Sequence, residues 1–412
     1  MTKKNDDLFP LFKELFDAIT VGHNNDPIKS VPDADYSLQY GRCAQGWYTV
    51  PQELLANAVE KCLSHYKYIG DNFSYTATRE KIFTELRNIK FQQKQFSEKH
   101  YQEIISYFKS FNGEEFEVFV PIYGLEVTSE DPVEIGEFTV YGKSHYSILQ
   151  DKWANDELHK QINSCIVKKD YVSYKVTACD PHKAYEKASI FLEKLENIFK
   201  LFCYPVGKHQ DVGIFNYNFS HERNYIAFAN EDHWGIGDFS EGVELTVKIS
   251  NFLENSLFSK IIEKLFSKSL SEMEKRLMNA IDLCGRASCE KQPYLGFLFC
   301  MFGLEALLQA REGEFVSASI TAQMTDAYAF IVCKDYDERK KCAKDFQDMY
   351  AKRCKIAHGN GKDISEKDYK LALKYLHALI PVFLEDETIS KIEKMEAFKN
   401  HVQDRKFQKT VR

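Results

Sequence analysis

Apolar residues recur at spacings of three and four along most of the chain, a pattern typical of amphipathic helices. Before about residue 112, this pattern predicts an N-terminal helical region, residues 1–112. Its four predicted helices cover LFPLFKELFDAI, then QELLANAVEKCLSHYKYI after Pro51, ATREKIFTELRNIKF and EKHYQEIISYFKSF.

The spacing of the apolar residues changes after residue 112. EFEVFVPIYGLEV and VEIGEFTVYG are rich in β-branched and aromatic residues, which predicts a strand in each. A helix over DKWANDELHKQINSCI, a strand over YVSYKVTACD and a long helix from Pro181 follow. DVGIFNYN, RNYIAFAN and VELTVKI then predict three more strands. Residues 113–250 are therefore predicted to form an α+β domain.

Beyond about residue 250 every segment predicts a helix, so residues 251–412 are expected to form an all-α bundle. The third of these helices, PYLGFLFCMFGLEALLQARE, is apolar nearly all round, which predicts that it is the buried centre of the bundle. The predicted fold class is α+β, with a mixed helix and strand region followed by a C-terminal helical bundle.

The net charge and the cysteines limit the kinds of ligand and cofactor that this chain is expected to bind. The net charge of −7 argues against a protein covered by basic surface, so contact with nucleic acid would need a local patch or cleft. The eleven cysteines are odd in number and contain no C-x-x-C pair, which favours reduced thiols. We therefore expect no structural metal and no cofactor.

Membrane and ATPase functions find no support in the sequence. The N-terminus lacks the apolar core of a secretory signal, and the most apolar stretch, residues 294–308, is too short to cross a bilayer. These features predict a cytoplasmic protein without a membrane partner. The segment VYGKS lacks the first glycine and the spacing of a phosphate-binding P-loop, which argues against an ATPase.

The strongest chemical signal is YAKRCKIAHGNGKD, residues 350–363. Arg353 and His358 stand five residues apart, and five steps of a regular helix turn about 140°, so their side chains would not share a face. Gly359 and Gly361 can end the helix through a left-handed backbone conformation. The sequence thus permits His358 to turn toward Arg353.

An arginine and a histidine are the groups that metal-free RNA cleavage requires. The imidazole can take or give a proton near neutral pH, and the guanidinium can bind the charged phosphate in the transition state. One histidine cannot readily be both acid and base in one displacement, so a two-fold dimer with two motifs in one cleft is expected. The alternative is a helix end where Arg353 and His358 only complement the helix dipole.

The string RCKIAHGNG, late in a helical bundle, resembles the R-x-x-x-x-H signature of the HEPN superfamily of helical nucleases. FLFCMFGLEALLQ upstream is similar to the ApeA-like HEPN branch of bacterial defence systems, and the resemblance covers about residues 255 to 385. It implies a bundle that dimerises along its motif helices and cleaves RNA, often tRNA, without a metal during phage infection. Arg353 would bind phosphate and His358 would be the general acid or base. Cys354 stands where active members often carry Asn, His or Asp.

Glu305 is the second residue of interest. A carboxylate inside so apolar a helix needs a partner, because an unpaired buried charge costs several kcal/mol. Pairing with Arg353 would make Glu305 a residue that positions the catalytic arginine, whereas a position at the edge of the bundle, or pairing with Arg286 or Arg311, would be structural. The sequence leaves both alternatives open.

Lys352, Lys355 and Asn360 flank the motif and are the predicted RNA-binding residues. The expected partners are RNA (tRNA or mRNA), a second copy of the chain through the bundle, and a phage-derived trigger that the N-terminal part senses. Two rival predictions remain. One is a HEPN bundle that binds RNA or a nucleotide without cleaving, and the other is a helical protein that binds another chain.

Overall fold

The computed structural model describes residues 8–23, 38–145, 147, 170–203, 211–217, 224–230, 233–238, 246–309, 320–357 and 364–407. Contacts divide the chain into two compact units. The first comprises Met1–Val118 and Lys175–Ile190, and the second comprises Phe119–Tyr174 and Phe191–Arg412. The three-part division predicted from sequence places its boundaries elsewhere, near residues 112 and 250. The predicted α+β fold class with a C-terminal helical region is confirmed.

The first unit contains the four predicted N-terminal helical segments, and Tyr66 divides the second of them into two helices. The Phe12 ring packs edge-on against Tyr101 in the core of this unit, with ring centroids 5.1 Å apart. Its elements are α1 (Phe9–Ala18), β1 (Thr20–His23), β2 (Leu38–Cys43), β3 (Gly46–Pro51), α2 (Gln52–His65), α3 (Lys67–Asn72), α4 (Tyr75–Phe91) and α5 (Glu98–Ser110).

Strands β1 to β3 form an antiparallel sheet in the order β1-β3-β2, so the N-terminal region predicted as helical also contains three strands that the sequence pattern did not predict. Cross-strand packing explains the sheet. Trp47 of β3 lies across Gly22 of β1, where a Cβ atom would come within 2.3 Å of the indole ring. Gly46 adopts a φ of 152° at the start of β3, which other residues rarely do. Short strands built on such contacts leave little periodic signal.

The middle of the chain adds short strands and one long helix. Strands β4, β8, β7 and β6 form one sheet in that order, β9 pairs with β10, and β5 pairs with β11. These elements are β4 (Glu114–Ile122), β5 (Leu125–Glu126), β6 (Val133–Ile135), β7 (Phe138–Tyr141), β8 (Asp170–Ala178), α6 (Pro181–Cys203), β9 (Asn224–Asn230), β10 (His233–Asp238) and β11 (Val247–Lys248). The helix predicted over residues 151–166 lies outside the described residues.

VEIGEFTVYG forms a hairpin of β6 and β7 rather than the single strand predicted. Gly136 turns the chain with a φ of 61°, and a Cβ there would come within 2.6 Å of the Phe266 ring. Of the strand predicted over VELTVKI, the described residues contain only Val247–Lys248 as strand.

The predicted strand DVGIFNYN is also wrong, because residues 211–217 form an irregular segment with one bridge, from Gly213 to Tyr123. The carboxylate of Glu196 in α6 accepts hydrogen bonds from the backbone N–H groups of Ile214, Phe215 and Asn216, at 2.7 to 3.2 Å. One buried side chain thus satisfies the amides that a neighbouring strand would otherwise bind.

From Ile249 onward the described residues form helices, as predicted. They are α7 (Ile249–Leu253), α8 (Ser256–Leu265), α9 (Glu272–Cys289), α10 (Pro293–Leu308), α11 (Ile320–Ile331), α12 (Tyr336–Ala357), α13 (Glu366–Glu385) and α14 (Met395–Phe407). Helix α10 packs against α9, α11, α12 and α13, and its Phe297, Cys300 and Leu304 are fully buried. The prediction that this apolar helix is the centre of the bundle is confirmed. Among the described helices, none has the length and apolarity needed to cross a bilayer.

Helices α6 and α9 approach each other closely at Gly285. A Cβ at this position would lie 2.3 Å from the backbone oxygen of Asn197, and the Asn197 side chain donates to Asp282 at 2.7 Å one turn earlier in α9. Backbone atoms inside a packed helix pair can move only at a large cost in free energy, so a side chain at position 285 would clash.

We predict that Gly285→Ala lowers the free energy of unfolding by about 1–3 kcal/mol, because the clash outweighs the gain of about 1 kcal/mol in helix propensity. Urea unfolding measures this difference. Gly303→Ala is the matched control, since its Cβ would first meet Cδ2 of Leu376, the movable end of a side chain. Gly303→Ala should lower the free energy of unfolding by less than Gly285→Ala does. Equal decreases in the two variants would contradict the close contact between the α6 and α9 backbones.

Candidate functional site

Helices α10 and α12 bring Glu305 and Arg353 together. The Arg353 Nε donates to Glu305 Oε1 at 3.0 Å, and Nη2 donates to Oε2 at 3.4 Å. The side chains retain only 27% and 15% of their exposure, for Arg353 and Glu305 respectively. A two-bond pairing of this kind fixes the plane of the guanidinium as well as its position.

This pairing is one of the two alternatives that the sequence leaves open for Glu305. Arg286, the other candidate within the described residues, pairs with Asp282 at 2.9 Å and with Glu193 at 3.0 Å. Arg311 lies outside the described residues. The carboxylate inside the apolar helix α10 therefore has the arginine of the motif as its partner.

Two aromatic rings flank the guanidinium. The Cζ atom of Arg353 lies 5.6 Å from the ring centroid of Phe302 and 5.9 Å from that of Tyr350. Both distances fall within the range of cation–π attraction. Sequence reasoning missed both rings. Their spacing could have revealed them, because Phe302 precedes Glu305 by three residues and Tyr350 precedes Arg353 by three, so each shares a helix face with its charged neighbour.

The surroundings of Tyr350 raise the pKa of its phenol, which is already neutral at pH 7. Burial raises its pKa above the ordinary value, the carboxylate of Glu305 raises it further, and Arg353 opposes the change without cancelling it. A neutral phenol can donate a hydrogen bond as well as accept one. Tyr350 thus adds a polar group beside the guanidinium at neutral pH.

Arg353 retains donors for a ligand. Of the five N–H bonds of a guanidinium, the pairing with Glu305 uses the one on Nε and one on Nη2, so three have no acceptor among the described residues. Such donors bind phosphate oxygens through short, charge-assisted hydrogen bonds. Within the described ranges, no three His, Cys, Asp or Glu side chains lie together as a metal site would require.

Of the other predicted site residues, two lie within the described part of the chain and two lie outside it. Lys352 forms an ion pair with Asp368, with Nζ and Oδ1 2.5 Å apart, so its charge is already compensated. Lys355 is exposed on α12. His358 and Asn360 lie outside the described residues, and α12 continues as helix to Ala357, directly before His358.

No protein-family model matches this chain, and the searches of curated proteins and of solved structures also give no match. The motif and the surroundings of Arg353 are therefore the features of this chain that bear on its function.

Asp368 connects the motif helix α12 to the start of α13. Burial alone would raise its pKa, but hydrogen bonds from Lys352 and Ser365 outweigh burial and lower the pKa below its usual value. A carboxyl whose pKa is depressed by folding stabilises the fold above its unfolded pKa, about 3.9, and loses this contribution as the pH falls through the folded pKa.

We predict that Asp368→Asn lowers the free energy of unfolding by about 1 kcal/mol at pH 7, since a cap and an ion pair are weakened together. The difference from wild type should start to shrink at about pH 4, where the carboxyl of the unfolded chain takes up a proton, and should vanish once the pH falls below the lower pKa of the folded state. Urea unfolding at several pH values measures it. Asp337→Asn, at an exposed position in the first turn of α12, is the control and should change little. A loss from Asp368→Asn that does not vary with pH would contradict the assigned ionisation.

Proposed function

We propose that this protein is a metal-independent endoribonuclease in which Arg353 and His358 form the catalytic pair. The observation that carries the proposal is the Glu305–Arg353 pairing, which holds the arginine of the R-x-x-x-x-H motif in one orientation. Helix ends that merely complement a dipole do not need a partly buried carboxylate to orient one arginine. The resemblance of the motif to the HEPN superfamily agrees with this chemistry.

In the proposed reaction, His358 takes the proton from a ribose 2′-hydroxyl or gives one to the leaving 5′-oxygen. The 2′-oxygen attacks the adjacent phosphorus, and the products are a 2′,3′-cyclic phosphate and a 5′-hydroxyl. The free N–H bonds of Arg353 stabilise the charge that builds on the phosphate oxygens. Glu305 acts through Arg353 as a positioning residue, because it restricts the guanidinium to the orientation it needs.

The proposed active form is a homodimer through the outer face of α10. Leu295, Leu298, Phe299 and Phe302 follow the helical spacing of three and four, so they form one stripe. Phe302 is 40% exposed, and the other three are half-buried. An apolar stripe that includes a ring beside Arg353 suits contact with an identical stripe, which would bring two motifs into one cleft.

The substrate and the setting follow from the resemblance. We propose tRNA or mRNA as the substrate, cleaved in the cytoplasm during a bacterial response to phage. The region before the bundle would sense a phage-derived trigger and restrain the nuclease in its absence.

The test is incubation of the full chain with total tRNA and mRNA in EDTA. We expect fragments that end in 2′,3′-cyclic phosphate, with the rate reduced at least about 100-fold in Arg353→Ala and in His358→Ala. Arg405→Ala is the matched control, because Arg405 is also ion-paired, with Asp386 at 3.3 Å, and is exposed to a similar 30%. Cleavage that survives in Arg353→Ala or is lost in Arg405→Ala would contradict the assignment.

The same assay separates the rival functions. RNA binding that is equal in all variants without cleavage supports a non-cleaving module, and the lack of both binding and cleavage supports a protein that binds another chain. Mixing Arg353→Ala with His358→Ala tests the shared cleft. Recovery of cleavage in the mixture supports a site built from two copies, and continued inactivity argues against it.

A further inference from the structure

A second candidate site lies in the second unit, in a cleft between helices α6, α8 and α9. It has a volume of about 320 Å³. Three lysines line it, Lys194 from α6, Lys264 from α8 and Lys275 from α9. The proposed nuclease chemistry uses none of these residues.

The charges around this cleft leave an excess of positive charge. Lys264 is compensated by Glu274, with Nζ and Oε1 2.5 Å apart. Among the described residues, neither Lys194 nor Lys275 forms an ion pair, and both are exposed. The carboxylate that lines the cleft, Asp282, is occupied by Arg286 at 2.9 Å. On a chain with a net charge of −7, such a cleft is a place where an anion would concentrate.

The floor of the cleft is apolar. Leu265, Leu270, Met278 and Ile281 line it, and Ile281 is almost fully buried. Met278 lies on the same face of α9 as Lys275 because they are three residues apart. A thioether and leucine side chains offer a deformable surface against which a flat ring can pack. A purely ionic ligand would leave this surface in water.

Asn279 adds a polar group at the edge of the cleft, where its side chain is exposed. A carboxamide presents both a donor and an acceptor, as recognition of a heterocyclic base edge requires. The cleft therefore combines cations, an apolar floor and a neutral group that can both donate and accept.

We propose that this cleft binds a nucleotide, a small molecule with a flat ring system and several phosphate charges. Lysine ammonium groups bind phosphate as point charges, and the two lysines without an ion pair among the described residues, Lys194 and Lys275, exceed what a single carboxylate would need. The volume lies at the lower end of the range for small-molecule sites, about 300–1,000 Å³. The inference does not depend on the proposed nuclease function.

The test is isothermal titration of the full chain with ATP in EDTA, beside the double variant Lys194→Gln/Lys275→Gln. We expect ATP to bind the wild type with a Kd below about 1 mM, and the double variant at least about tenfold more weakly. Both lysines are exposed, so the variant should unfold at the same temperature as the wild type. Adenosine alone and tripolyphosphate alone should each bind at least about tenfold more weakly than ATP. Adenosine lacks the phosphate charges that the lysines bind, and tripolyphosphate lacks the ring that packs on the apolar floor.

Two controls locate the binding. Lys268→Gln removes an exposed lysine between α8 and α9 that does not line the cleft, and it should bind ATP as the wild type does. Arg353→Ala should also bind ATP normally. The proposal is overturned if ATP fails to bind at about 1 mM, if the double variant binds it as tightly as the wild type, or if Arg353→Ala abolishes binding. Equal binding of tripolyphosphate and ATP would overturn the role of the apolar floor.

Discussion

The ion pair between Glu305 and Arg353 is the interaction on which the candidate site depends. A partly buried carboxylate in α10, the most apolar helix of the bundle, destabilises the fold unless a cation compensates it. Arg353 supplies that cation from α12 through two hydrogen bonds. The pairing affects both side chains: Arg353 compensates the charge of Glu305, and Glu305 restricts the motion of Arg353. A structural requirement of the core therefore orients the side chain proposed to bind phosphate.

The position of Glu305 is in turn set by how α10 is held. Arg276 of α9 donates to the backbone oxygens of Ala306 and Gln309, at 2.8 and 3.0 Å, and so satisfies carbonyls at the C-terminal end of α10. One turn earlier, Gly303 allows Leu376 of α13 to pack close to the α10 backbone. The carboxylate thus projects from a helix that two neighbours hold. Sites built on such elements keep their geometry better than sites on loops.

The sequence predicted those parts of the molecule whose cause is local. Helical periodicity located the bundle helices, and the cost of a buried charge led to Arg353 as one partner for Glu305. Prediction from the sequence was wrong where the local structure depends on a contact between residues that are far apart in the chain. The β1-β3-β2 sheet depends on Trp47 lying across Gly22, and residues 211–217 follow the carboxylate of Glu196 instead of a strand. The choice between Arg353 and Arg286 also needed the packing of the helices, because both arginines are compatible with the sequence pattern.

Glu305 and Arg353 stabilise the bundle by acting on each other directly, and a double-mutant cycle of unfolding tests this coupling. The free energies of unfolding of wild type, Glu305→Ala, Arg353→Ala and the double variant would be measured in urea at pH 7. Each single change leaves the other charge partly buried without its partner, so we expect a coupling energy of at least about 1 kcal/mol. Losses that add to within about 0.3 kcal/mol would show that the two side chains are independent and would contradict the account.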